Sequence, residues 1–156
     1  MSGGKKAGTG KARFLLLNAG IPLAVGLIFY VLFCPETCVT RFVSRLLPGM
    51  IPGNAVIPLP EGAVFTVLRN YGFDFLWAYA LVSALCLIAG TEGGQIAFAA
   101  AVAALFGTGT EAAQYFGIMP GTADGWDVLT EISAALIGAF TIYFFICRKE
   151  KNNEKQ

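Results

Sequence analysis

Histidine is absent from this 156-residue chain. That absence excludes a Ser-His-Asp or Cys-His nucleophile pair and any histidine-ligated zinc. Charge is scarce as well: 13% of residues are Asp, Glu, Lys or Arg, against about 25% in a soluble domain. Internal repeats are absent too, and the one compositionally biased stretch is the N-terminal Ser2-Gly3-Gly4-Lys5-Lys6-Ala7-Gly8. What fills the chain is apolar. Hydrophobic residues make up 56% of it and mean hydropathy is +0.65. The runs are longer than a soluble core helix requires. The chain reads as an integral membrane protein with room for one helical bundle and no additional soluble domain.

A hydrocarbon core is crossed by about 20 mostly apolar residues. Four segments qualify: 14–33, which contains Pro22, then 75–90, 96–119 and 128–147. The first is too long in its apolar stretch for a signal peptide, and no small-residue cleavage site follows it. It is expected to remain as a helix. The predicted fold is all-α and polytopic, with four transmembrane helices and a short amphipathic interfacial helix between the first and second. A basic cytoplasmic tail is expected over residues 1–13, disordered from Ser2 to Gly8, with the membrane domain over 14–147 and a second basic cytoplasmic tail over 148–156.

Lys/Arg bias sets orientation. Lys5, Lys6, Lys11 and Arg13 precede the first span, and Arg148, Lys149, Lys151 and Lys155 follow the last. Four spans return the chain to its starting side, so both termini are expected in the cytoplasm of a bacterial cell. The inner half then holds eight basic residues against Glu92, Glu150 and Glu154. The outer half holds Arg41, Arg45 and Arg69 against seven acids: Glu36, Glu61, Asp74, Glu111, Asp124, Asp127 and Glu131.

The outer connection carries Pro35, Pro48, Pro52, Pro58 and Pro60. Between the first two, residues 40–47 place Arg41 and Arg45 on one face and offer Phe42, Val43, Leu46 and Leu47 to lipid, as an interfacial helix does. A second short helix is predicted over 61–70. Cys34 and Cys38 could pair if they lie outside the cytoplasm, but four-residue spacing on a regular helix opposes the geometry. Cys86 and Cys147 fall inside apolar runs as small packing residues.

Helices in lipid associate through small residues. The third span offers Ala99, Ala103, Gly107 and then Glu111 at four-residue spacing, and the fourth offers Ala134 and Gly138. That stripe leads to a polar constellation. Glu111 and Gln114 share a helix face with Tyr115. Asp127 and Glu131 are four apart at the start of the fourth span, and Asp74 opens the second with Trp77 and Ala78 below it. Acids at membrane depth are costly and mark function. Capping offers a structural alternative for Asp74, Asp124 and Asp127, and Trp77 and Trp126 also suit an interfacial belt. Glu111, Gln114 and Glu131 lie too deep for capping. Such a cluster suits an ammonium or sugar hydroxyl, a shared proton, or Ca²⁺ or Mg²⁺. A further alternative has Arg69 or Arg45 folded over it as an ion-pair network. The sequence leaves metal binding and oligomeric state open.

Three places resemble the VanZ-like family of small bacterial membrane proteins: Asp74-Phe75-Leu76-Trp77-Ala78-Tyr79, the Glu-x-x-Gln of Glu111 and Gln114, and Asp127-Val128-Leu129 leading to Ala134 and Gly138. Phe75 and Ala78 stand where that family's motif carries Lys and His, Glu131 where it carries Asn, and its Arg has no counterpart in Gly121-Thr122-Ala123. The resemblance implies a divergent branch with a more acidic site, and a link to sensitivity to the glycopeptide teicoplanin. The leading expectation is a non-enzymatic membrane protein with an acidic outer-leaflet pocket built from Asp74, Trp77, Glu111, Gln114, Tyr115, Asp127 and Glu131. It would bind a lipid-linked envelope component or a glycopeptide, with membrane lipid as its other partner, no cofactor and no nucleic acid. The alternatives are an intramembrane enzyme using paired carboxylates as acid/base or metal site, and a small ion- or proton-coupled permease subunit. The last requires a polar path to the cytoplasmic side.

Overall fold

A computed structural model describes residues 3–33, 42, 44–46 and 62–147. Four helices account for most of them: α1 Gly3–Phe33, α2 Ala63–Ala89, α3 Gly93–Tyr115 and α4 Gly125–Ile142, with a π-helical turn Tyr143–Cys147 continuing the last. No strand occurs among the described residues. All four helices are long and apolar enough to cross a membrane.

The pattern of exposure is inverted relative to a soluble protein. Large apolar side chains point outward, with Ile88 87%, Leu105 71% and Phe140 67% exposed, while Ser83, Glu111 and Glu131 are buried. In water that arrangement would forfeit the hydrophobic drive; in lipid it is the favourable one. The chain is a multi-pass membrane protein.

Contacts along the helices fix their directions. Asn18 meets Ser83 and Gly26 meets Phe73, so α1 and α2 are antiparallel. Gly107 faces Glu131 and Glu111 meets Asp124, so α3 and α4 are antiparallel. Tyr79 touches Gly138 and Tyr71 meets Asp124, so α2 and α4 run parallel. Helix α2 packs on all three others. Small residues permit the closest approaches, as expected: Ala99, Ala103, Gly107 and Glu111 are all buried on α3, and Ala134 and Gly138 on α4. A Cβ on Gly138 would stand 3.2 Å from the Tyr79 carbonyl oxygen. Away from the acids the bundle closes over an apolar core that includes Leu15, Val82, Cys86, Ile96, Ile142 and Ile146.

Several boundaries differ from the sequence reading. Helix α1 starts at Gly3, so its described residues before Phe14 are helical where a disordered tail was expected; a helix already nucleated extends readily through Lys and Ala. The helix predicted over 61–70 and the span predicted over 75–90 form one helix, because no proline separates them. Asp74 therefore lies within α2, and capping does not explain it. At 1.5 Å per residue α2 reaches about 40 Å, beyond a hydrocarbon core of about 30 Å. Helix α3 stops at Tyr115, short of Met119, since Gly117 adopts φ +69. That residue completes a Schellman motif, with Gly117 N–H on the Gln114 carbonyl at 3.0 Å and Ile118 N–H on the Ala113 carbonyl at 2.8 Å.

The Cys34–Cys38 pair and the tail from residue 148 onward lie outside the described residues. So does half of the predicted interfacial helix, of which residues 42 and 44–46 are described and helical, with Phe42 and Leu46 exposed.

Candidate functional site

The site begins with the turn into α4. Asp124 caps that helix, its Oδ1 accepting the Trp126 N–H at 3.0 Å. The backbone N–H of Asp124 donates in turn to Glu111 Oε2 at 2.9 Å, tying the last turn of α3 to the first of α4. Across the bundle the Tyr71 hydroxyl donates to Asp124 Oδ2 at 3.5 Å. Asp124 thus joins three helices, and the capping role read from its position holds.

Below it lies a layer of carboxylates. Asp74 from α2, Glu111 from α3, and Asp127 and Glu131 from α4 each fall within the electrostatic reach of the other three. None of the four forms an ion pair among the described residues. Arg69 Nε instead donates to Asn70 Oδ1 at 3.4 Å, so the ion-pair network through Arg69 is not formed. Arg45 is exposed.

Glu131 is the anomaly in the layer. It is 6% exposed, its carboxylate occupies the space that a side chain on Gly107 would fill, and Oε2 has no hydrogen-bond partner. A buried polar group in that state costs about 1–3 kcal/mol. Glu111, by contrast, is satisfied in part by a backbone amide.

The other expected residues stand at the margin. Trp77 is partly exposed and packs its ring against Phe106 at 6.4 Å. Gln114 folds its amide over Gly121, whose φ of +142 leaves no room for a side chain there. Tyr115 is 77% exposed, stands edge-on to Phe116 and lines a hollow together with Glu111 and Asp124. No three Asp, Glu or Cys side chains among the described residues converge as a metal-binding set.

Two openings flank this end. A cleft of about 900 Å³ lies between α1, α2 and α4, with Val25, Phe29, Leu68 and Phe75 in its walls beside Tyr71, Trp126 and Thr130. A smaller hollow of about 310 Å³ between α3 and α4 reaches Glu111, Asp124 and Val128. The sequence reading missed Tyr71, a tyrosine three residues before Asp74, and the cleft it lines. It also missed a polar chain deeper in the bundle: the Tyr79 hydroxyl donates to Asn18 Oδ1 at 2.8 Å, and Asn18 Nδ2 donates to Ser83 Oγ at 2.7 Å. A lone amide inside an apolar span was the available signal for it. This polar chain abuts the apolar core around Val82 and Cys86.

No family model, curated protein or solved structure matches the chain.

Proposed function

We propose that this chain is a non-enzymatic membrane protein that binds an amphiphilic, lipid-linked envelope component at the acidic end of its bundle. The observation that carries the reading is Tyr71, which lines the apolar cleft and at the same time hydrogen-bonds Asp124 above the carboxylate layer. One ligand with an apolar chain and a polar head would engage both. The orientation rests on Lys/Arg bias: with both termini in the cytoplasm of a bacterial cell, this end faces outward. The resemblance of Asp74, Glu111, Gln114 and Asp127 to the VanZ-like family supports the same reading and extends it to glycopeptide sensitivity. Fold-level likeness alone would not.

The test is teicoplanin sensitivity of cells making the wild type, Glu111→Gln or Asp127→Asn, with membrane levels measured alongside. Gln at 111 retains an acceptor for the Asp124 N–H, so the fold is spared. Both variants should lose the wild-type change in sensitivity. An unchanged phenotype at equal membrane levels removes both residues from the site.

A further inference from the structure

Among the described residues no cation pairs with the carboxylate layer. Asp74, Glu111, Asp127 and Glu131 share one field. Glu131 is more than nine-tenths buried within it and Oε2 has no donor. The adjoining cleft is lined by apolar side chains together with Tyr71, Trp126 and Thr130. Tyr71 is hydrogen-bonded to Asp124 and lies within the field of Asp127, and Asp124 holds the Trp126 amide. Two aromatic rings and two carboxylates are therefore neighbours beside the cleft.

We infer that the occupant is a cationic amphiphile, with its chain in the cleft and an ammonium-type head between Asp124, Asp127 and the rings of Tyr71 and Trp126. This rests on the amphiphile reading above and adds the sign of the head. Aromatic faces attract alkylated ammonium groups. The inner acids strengthen that attraction, since charge interactions weaken less with distance away from water. A neutral or anionic head would bring the layer no compensating charge.

The experiment uses the full chain in micelles of the non-ionic detergent dodecyl maltoside with Trp77→Phe, which leaves Trp126 as the single indole. Its fluorescence is titrated with hexadecyltrimethylammonium and, separately, with hexadecanol. The cation should half-saturate at a micellar mole fraction about tenfold below that of the alcohol, equivalent to about 1.4 kcal/mol. Adding Asp124→Asn and Asp127→Asn should raise the cation's midpoint about tenfold and leave the alcohol's in place. Asn preserves the cap at 124, and circular dichroism checks the fold. Equal midpoints for the two probes, or a cation midpoint indifferent to the double substitution, overturn the cationic head while the amphiphile reading stands. No saturable response to either probe overturns both.

Discussion

Replacing Glu131 with methionine should make this protein more stable. The side chain is 6% exposed, three other carboxylates act on it, and Oε2 has no donor. An unsatisfied buried polar group costs about 1–3 kcal/mol, and exchanging buried ionic groups for apolar side chains of similar volume has gained about 1–4 kcal/mol elsewhere. Methionine is unbranched and fills the same slot against Gly107. We therefore expect a gain of about 1–3 kcal/mol, which at this chain length raises Tm by about 2–4 °C for each kcal/mol. Glu111→Met is the control of identical chemistry. Because Glu111 accepts the Asp124 N–H, its loss leaves a donor unpaired, and Tm should fall by a similar amount. Thermal unfolding of the purified protein in one detergent, followed by circular dichroism, measures both. A lower Tm for Glu131→Met would refute the reasoning, since it would mean that the carboxylate binds the helices together.

Three further outcomes follow from the packing. Gly138→Leu should lower Tm by the equivalent of about 1–3 kcal/mol through overpacking against Tyr79 and Val82; Gly20→Leu, at a position with nothing within 4 Å, should stay within about 0.5 kcal/mol of wild type. Asn18→Leu should cost about 0.5–2 kcal/mol by removing the partner of Tyr79 and Ser83, and Ser83→Ala in that background should add little because the network is already broken; additive losses would show that the groups act separately. A cysteine at Thr122, with the natural cysteines replaced, should react with membrane-impermeant maleimide in intact cells. Labelling that requires disrupted cells would invert the proposed orientation.

The helical layout was legible in the sequence because length and hydropathy alone separate a membrane span from a soluble helix. The small-residue stripe was legible too, since Ala99, Ala103 and Gly107 recur at the spacing that keeps them on one face. That pattern carried Glu111 into the interior with them. Depth was harder to read. Asp74 resembled a helix start because the apolar run begins there, yet α2 begins eleven residues earlier, and composition does not mark where a helix leaves the membrane. Tyr115 fell on the shared face of Glu111 by spacing, and the two line one hollow even though α3 terminates at Tyr115. Pairings across helices left no local trace: neither the Tyr71–Asp124 contact nor the Asn18–Tyr79–Ser83 chain is encoded by spacing along one helix.

In the proposed role the carboxylate layer serves binding at the expense of stability. The most direct measurement takes Tm and the hexadecyltrimethylammonium midpoint from the same Glu131→Met sample in the Trp77→Phe background, against its Glu131 parent. Tm should rise while the midpoint moves to higher mole fraction, the two changing in opposite senses. A rise in Tm with an unmoved midpoint, or a fall in Tm, would contradict it.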